Sequence, residues 1–401
     1  MSVPRVALAE LIREADPGFA SGERSPDGVL QVRMNCVDND GGLDLAVAPR
    51  VPAIPRLSRY LLEPGDVLFN ATNSPELVGK SALFTGSDEP VTFSNHFLRL
   101  RVRVDRLEPS YLVRWLARQW KRRVFEGMCT QWVNQASVRG DRLLQLKVPL
   151  PPLAEQRRIA AILDIADGIR RKRRESLRLL DEFLRSAFLE MFGDPVRNEK
   201  GWEVVKLDQV ASIVSGVTIG RKLGDEDVVS VPYLRVANVQ DGYLDLTEVK
   251  PTDATPKEAA QYRLEAGDIL LTEGGDPDKL GRGAVWRGEI DGCIHQNHVF
   301  RVRITGGAFA PEYLSALLSS AYGKRYFLKA AKQTTGIASI NRTQLGGFPV
   351  IRAPIGVQER YAAMVLRVRA VKERFGDATL SSDHLFDSLA QRAFSGAGLH
   401  A

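Results

Sequence analysis

Two loops of this 401-residue chain carry side chains suited to contacting nucleic acid. Asn70 to Lys80 and Thr272 to Arg282 are Gly/Asn/Pro-rich, and each ends in a cation beside a glycine, Gly79-Lys80 and Gly281-Arg282. Arg and Lys make bidentate or point contacts to guanine or phosphate, and Asn or Gln can bracket adenine. A solvated surface loop has the same composition, so these residues alone leave both readings open. The basic run from Arg170 to Arg174 is similar, since a charge run on a helix usually faces water but also fits a phosphate backbone or a partner. The candidate DNA contacts are Asn70, Asn73, Lys80, Arg123, Gln135, Arg139, Arg235, Asn238, Lys279, Arg282, Arg325, Asn341 and Arg342.

Catalytic constellations are near-misses. Gly79, Lys80 and Ser81 resemble the end of a phosphate-binding loop, but the glycine required five positions earlier is Ser74. Gly281 and Gly283 lack the third glycine of a dinucleotide fingerprint. The amino-methyltransferase strings Asn-Pro-Pro-Tyr and Asp-Pro-Pro-Tyr are absent, and Pro151-Pro152 sits in LPPL with no polar group beside it. No Pro-Asp pair is followed closely by Glu-x-Lys, as a nuclease metal site would need. Cys293, His295 and His298 could suggest a metal, yet their mirrored positions in the first half are Val91, Phe93 and His96, so a packed strand histidine is the better reading. No catalytic residue, metal site or cofactor of this chain is therefore expected.

The elements that must position the loops begin with a long helix. From Pro152 to Gly193, apolar or small residues recur at Ile159, Ile162, Ala166, Ile169, Leu177, Leu180, Leu184, Ala187 and Met191, the spacing of one helical stripe. A helix from Ala154 to Met191 would be about 57 Å long, and its stripe needs a partner. That partner is in the same chain. A shift of 202 positions superposes Pro152, Gln156, Ala160, Ser186 and Phe192 on Pro354, Gln358, Ala362, Ser388 and Phe394. The second stripe, which includes Met364 and Val371, is loosened by Gly376 and the Thr379 to Ser382 segment. The helices are expected to pack through Ile159, Ile162, Ile169, Leu180 and Leu184 against Val365, Val368, Phe375, Leu385 and Leu389.

The same offset holds upstream. YLLEPGDVLF from Tyr60 matches YRLEAGDILL from Tyr262, Asn95-His96 matches Asn297-His298, and Ala136-Ser137 matches Ala338-Ser339. Before about residue 32 the match fails: Val6 to Ala15 reads as a short helix, while the second half opens with WEVVKLDQVASIVSG from Trp202. The alternation in FLRLRVRV from Phe97 predicts a half-buried strand, repeated by VFRVRI from Val299. Proline-started helices are expected over Pro109 to Phe125 and Pro311 to Ala331. The fold class is α+β: mixed domains at 1–150 and 196–352, and long helices at 151–195 and 353–401 packed as an antiparallel coiled coil.

Composition sets the remaining bounds. A hydrophobic content of 44% suits a globular chain with two or more cores, and a net charge of +6 favours nucleic acid only slightly. Three widely spaced cysteines with no CxxC pair argue for a reducing compartment. The charged start MSVPRVALAELIREAD is no signal peptide, and no run of eighteen apolar residues exists, so a cytoplasmic protein without membrane contact is expected.

A variable domain closing on PLPPLAEQRRIAAIL, followed by a long helix, with the whole unit duplicated, resembles the specificity subunit of a type I restriction-modification system. YLRVANV from Tyr233, LEAGDILLT from Leu264, INRTQLGGFPV from Ile340 and LFDSLAQRAFSG from Leu385 are also similar to that family's recurring segments. The resemblance implies a non-catalytic reader of double-stranded DNA. Each mixed domain would be a target-recognition domain for one half of a split site, and the helices a spacer around which two methyltransferase (M) subunits dock, with motor and nuclease (R) subunits able to join. S-adenosylmethionine, ATP and magnesium would belong to those partners. Asn70 to Asn73 differ from Thr272 to Gly275, which predicts unlike half-sites and an asymmetric target. The first half lacks a counterpart of Trp202, and Asn134 stands where the second has Gly336. A stand-alone regulator of duplicated domains is the alternative; an enzyme with an unfamiliar site is a third reading, opposed by the missing motifs.

Overall fold

The computed structural model describes residues 3–132, 135–221, 223, 227–276, 280–334 and 337–395. The chain divides into two compact units, Met1–Arg174 with Asp377–Ala401, and Glu175–Gly376. Each unit holds one mixed domain and one half of each long helix, Leu153–Phe192 and Ile355–Phe394.

In the first unit a four-stranded antiparallel sheet has the order Ile12–Pro17, Phe97–Val102, Val67–Asn70, Ser81–Leu83. A three-stranded sheet of Arg50–Val51, Val29–Val32 and Val91–Phe93 lies beside it in sequence and contributes a separate core. One core gathers Val67, Phe69, Leu100 and Val102 with Leu112, Trp115 and Leu116 of the helix Pro109–Lys121. The other gathers Leu68, Phe97 and Ala82 with Val32 and Phe93. Alternate residues of one strand thus enter two different cores, as the period of two requires.

The second unit repeats this order with Ala211–Ser215, Val299–Ile304, Ile269–Thr272 and Gly283–Val285, beside Lys250–Ala254, Val229–Leu234 and Ile294–His295. From Val67 onward most strand limits repeat at the sequence offset, for example Val67–Asn70 and Ile269–Thr272, or Phe97–Val102 and Val299–Ile304.

Because both faces of the sheet are covered, the arginines of the alternating strand are not solvated as a half-buried strand would have them. Arg99 is 2% exposed and donates to the carbonyls of Arg59 and Leu61, each at 3.1 Å. Arg301 does the same to Gln261 and Arg263 at 3.1 and 2.8 Å. Arg101 and Arg303 form paired bonds with Asp66 and Asp268, carboxylates that sit just after the positive-φ glycines Gly65 and Gly267.

Three expected helices differ. Val6 to Ala15 is not one helix: Arg5–Ala7 pairs with Lys147–Pro149, Leu8–Leu11 makes one turn, and Ile12–Pro17 joins the main sheet. Sheet pairing overrides the helical pattern of so short a segment. Val204–Lys206 pairs with Pro349–Ile351 in the same way, so the repeat does extend to the start of each unit, with an offset of 199 instead of 202. The helix from Pro109 stops at Lys121, and the left-handed Arg123 (φ 57°) turns the chain so that Phe125 packs edge-on to Phe69 at 5.0 Å. The helix from Pro311 breaks at Ser320, whose hydroxyl accepts from the Gly323 N–H and caps the next helix, Ala321–Ala330.

The start of each long helix is fixed by a buried glutamine. Gln156 donates to the carbonyls of Arg106 and Pro151 at 3.0 and 2.9 Å and accepts from the Glu108 N–H at 2.9 Å. Gln358 donates to Ala308 and Ala353 at 3.1 and 2.7 Å and accepts from Ala310 at 2.9 Å. Tyr111 and Tyr313 complete each junction by donating to the carbonyls of Pro149 and Ile351, both at 2.8 Å.

Within each unit the two helices run antiparallel. In the first, Ile159, Ala160 and Leu163 share a core with Phe386, Ala390, Ala393 and Phe394, while Arg173 reaches Ser382 at 2.5 Å. In the second, Phe188 and Phe192 pack against Tyr361 at 5.6 and 5.5 Å, and Lys372 pairs with Asp181 at 2.6 Å. Val368 is buried, Ile162, Leu180, Leu184, Val365, Phe375 and Leu389 are partly so, but Ile169 and Leu385 are 46% and 57% exposed. These two are corrections to the expected seam: a straight helix drifts relative to a fixed stripe, and here the seam is occupied by charge.

That charge is the basic run. Arg170 is 2% exposed, lies over the Phe386 ring at 4.1 Å, and pairs with Asp167 at 2.5 Å and Asp40 at 2.9 Å. Arg171 bridges Asp167 and Asp38, and Arg174 bridges Asp40 and Asp383. Arg114 adds a bond to Asp167 at 3.0 Å. Burial would raise the Asp167 carboxyl, but Arg114, Arg170 and Arg171 together hold it below the usual range. For Asp38, burial is likewise outweighed by Arg171 and the Gly42 N–H. No helix among the described residues is long and apolar enough to cross a membrane.

Two outcomes are expected. Both carboxylates have folded pKa values below their unfolded ones, so their stabilisation is complete above the ordinary carboxylate range of about 4 and is lost as pH falls through it. Acid denaturation followed by circular dichroism should then show a shallower pH dependence in Asp167→Asn, and an identical profile would count against this coupling. Ile169→Asp should shift unfolding free energy by no more than about 0.5 kcal/mol, whereas Leu163→Asp should cost about 3 kcal/mol or more; equal effects in urea titrations would contradict the seam described.

Candidate nucleic-acid interface

Each unit carries a small three-stranded sheet distinct from its core sheets. In the first, Thr72–Asn73 pairs with Gln135–Ser137, which pairs with Thr130–Trp132. In the second, Gly274–Gly275 pairs with Ile337–Ser339, which pairs with Lys332–Thr334. Both are built alike. The first short strand leaves the main sheet directly, and the hairpin follows the helices that cover it. One alanine, Ala136 or Ala338, is fully buried and anchors the sheet to its domain. The Val138 N–H donates to the Ala71 carbonyl, and the Ile340 N–H to Glu273, both at 2.9 Å.

With the backbone groups engaged, the outward side chains of this sheet are the part free to meet a ligand. Thr130, Gln131 and Gln135 are exposed in the first unit, as is Lys332 in the second. Arg139 follows directly and pairs with Asp141 at 2.8 Å, while exposed Asn341 and Arg342 occupy the equivalent turn. Asn341 also caps the helix Arg342–Gly346, its Oδ1 accepting from the Gln344 N–H. Thr130, Gln131 and Lys332 were not among the expected contacts; the polar alternation of TQWVNQAS was the available signal.

The structure brings Asn73, Gln135 and Arg139 together on this surface in the first unit, and Asn341 with Arg342 in the second. Arg123 and Arg325 are exposed on the neighbouring helical segments, Arg123 paired with Glu126. Lys279, Asn134 and Gly336 lie outside the described residues.

Three expected contacts belong to the interior, and two more are half-buried and already paired. Lys80 is 8% exposed and donates to the Val37 carbonyl at 2.6 Å, with burial holding its amine below the ordinary lysine value. Asn238 is 3% exposed; it accepts from the Arg235 N–H and donates to the carbonyls of Asp245 and Glu248. Asn70 is fully buried in its strand, and its amide has no partner among the described residues. Arg235 is held by Glu248 at 3.0 Å. Arg282 is half-buried and donates to Gln240 at 2.8 Å, so it and Lys80 pin equivalent loops. The glycine beside each has positive φ, and a Cβ on Gly79 would meet the Phe125 ring at 2.2 Å. "Cation beside a glycine" is thus a packing device here.

The histidine cluster does not converge. His295 is fully buried, shares a 2.7 Å bond between Nδ1 and the Val299 carbonyl, and burial lowers its pKa to about 4. His298 is exposed, 2.8 Å from Glu273, and the Cys293 thiol is raised to about 12 by burial. No group of three His, Cys, Asp or Glu side chains among the described residues could hold a metal ion.

Comparisons with known proteins agree on one family. Residues 53–178 match the type I restriction modification DNA specificity domain. The provisionally assigned MjaX specificity subunit of Methanocaldococcus jannaschii is 30% identical over 194 residues, covering 45% of both chains. The EcoKI specificity subunit of Escherichia coli is 24% identical over 63% of this chain and 57% of its own, so the chain spans about half the length of these two relatives. The StySPI specificity subunit of Salmonella potsdam is 22% identical over 91% of this chain and 81% of its own. In fold, the S subunit of a type I restriction-modification system from M. genitalium matches 98% of this chain and 96% of its own, with a TM-score of 0.59 and 14% identity. Domain match, relatives and fold thus all make this chain similar to specificity subunits of type I restriction-modification systems.

Proposed function

We propose that this chain is the non-catalytic DNA-reading subunit of a type I restriction-modification complex, each unit reading one half of a bipartite, asymmetric site. The observation that carries this reading is the repetition of one small sheet with different outward residues. Asn73 and Arg139 in the first unit correspond to Gly275 and Asn341 in the second, on and beside strands of the same pairing. Equal backbones with unequal donors and acceptors present unlike hydrogen-bond patterns to base edges. The relatives named as subunits of restriction enzymes weigh against a stand-alone regulator.

The helix pair supports docking of two methyltransferase subunits. The first unit exposes Ile169 and Leu385, and the second exposes their repeat equivalents Val371 and Phe183. Two equivalent apolar patches suit two copies of one partner better than two unrelated ones. On this reading the protein works in the cytoplasm, S-adenosylmethionine is bound by the methyltransferase subunits, and ATP and magnesium by motor and nuclease subunits.

Mapping methylated bases in cells expressing this chain with its neighbouring methyltransferase gene tests the reading. Exchange of residues 1–150 for those of a relative should change one half of the methylated motif and leave the other; a motif that changes in both halves, or no split motif, would refute it. Phe183→Asp and Leu385→Asp should each reduce co-elution of the methyltransferase subunit while thermal melting of the isolated chain stays within a degree or two, roughly the effect of a neutral surface change. Full retention of both copies would show that these patches are not the docking surface.

A further inference from the structure

A concavity of about 620 Å³ in the first unit is walled by the helix Pro109–Lys121 and the last turns of Ile355–Phe394. Five cations line it, Arg5, Arg114, Arg118, Lys121 and Arg122, against one acid, Asp387. Arg114 is taken up by Asp164 and Asp167, and Lys121 by Asp387 at 3.5 Å. Arg5, Arg118 and Arg122 have no acidic partner among the described residues. Arg118 and Arg122 stand one helical turn apart, joined by the backbone bond from the Arg122 N–H to the Arg118 carbonyl. Like charges so placed repel, and Arg118 is also half-buried. Burial first, and then Arg122, hold its guanidinium below its ordinary value. This cluster is the reverse of the basic run at Arg170 to Arg174, where nearly every guanidinium has its carboxylate.

The floor offers little to an apolar ligand. Leu163, Phe386, Ala390 and Phe394 are each 8% exposed or less. What remains is an uncompensated set of fork-shaped donors, which match the oxygens of a phosphate. In sequence the next cation, Arg123, is paired with Glu126 and precedes the hairpin strand Thr130–Trp132. Among the described residues the second unit has no equivalent, because Ala316, Ser320 and Gly323 stand where the first has Arg114, Arg118 and Lys121, and Lys324 is paired with Asp241.

We propose that Arg118 and Arg122, with Arg5, form a clamp for a DNA backbone phosphate, present in the first unit only and indifferent to base sequence. The proposal rests on the DNA-reading function above. It makes the grip of the complex on its two half-sites unequal, with a purely electrostatic contribution on the side of the first unit.

The test is a salt titration of DNA binding by the full chain assembled with its methyltransferase subunit, using duplexes of the mapped motif and of scrambled sequence. Each phosphate contact contributes about 0.9 to the slope of log affinity against log salt, so Arg118→Ala/Arg122→Ala should reduce the slope by about 1 to 2. Affinity should fall by the same factor for both duplexes, the methylated motif should not change, and Arg118→Lys/Arg122→Lys should keep most of the slope. An unchanged slope, a loss confined to the motif duplex, or failure of the alanine variant to assemble with the methyltransferase subunit would each overturn the clamp; the last would mark the concavity as a seat for an acidic protein segment. If the wild-type complex shows no preference for any motif, the DNA-reading function itself falls, a result separable from loss of the clamp alone.

Discussion

A single buried amide governs how each long helix leaves its domain. Both helices begin just after a proline, Pro152 or Pro354, in a segment where backbone donors are scarce and carbonyls must be satisfied within the protein. Gln156 and Gln358 meet that need with two donated bonds and one accepted, all to backbone groups and all at equivalent positions. Few other side chains could replace them. Glutamate cannot donate, and an apolar residue would strand two carbonyls and an N–H out of water, at about 1 to 3 kcal/mol for each group. The direction of the helix is therefore set by the loop it must satisfy, and the loop by the sheet it leaves.

Backbone-directed bonds repeat between the units, whereas most ion pairs do not. The arginine-to-carbonyl bonds of Arg99 and Arg301 and the paired bonds of Arg101 and Arg303 recur, since they hold the same loop against the same sheet. Along the helices the first unit relies on Asp167, Arg170, Arg171 and Arg174, but the second on Lys372 with Asp181 and Arg369 with Glu289. Duplication preserved the interactions that satisfy buried backbone, while the charges along the helices differ, whether buried like Asp167 and Arg170 or exposed like Asp181. The difference follows from cost: an orphaned backbone group is always expensive, while an ion pair can be replaced as a unit, at little cost when solvated and with both partners changed together when buried.

Most of the architecture was legible because the repeat runs from about residue 32 without a gap, so that each weak local signal could be read twice. The start of each unit was not, since a three-residue change in offset hides Arg5–Ala7 behind Val204–Lys206 and a short apolar run reads as helix or strand alike. The exposure of the candidate residues was legible in part. Gln135 and Arg139 are exposed as their composition suggests, but nothing local distinguishes them from Lys80, whose acceptor at Val37 lies 43 residues away. A buried cation is recognisable only once its distant carbonyl is known. The same limit applies to Ile169 and Leu385, which fit the apolar stripe while the seam beneath them is filled by Arg170 and its carboxylates.

The placement of the small sheet lets its outward residues change without loss of the fold. Its strands are held by main-chain pairing and one buried alanine, and its outward side chains carry almost none of the core. Substitution at Asn73 or Gln135 would thus alter the pattern offered to a ligand while leaving Val67, Phe69 and Leu100 packed as before. Surface changes of this kind usually shift stability by no more than about 0.5 kcal/mol, yet one bidentate contact discriminates between bases by about 1 to 3 kcal/mol. Stability and surface pattern therefore reside in different atoms of each unit, and this separation would let one duplicated scaffold carry the two unlike readers proposed above.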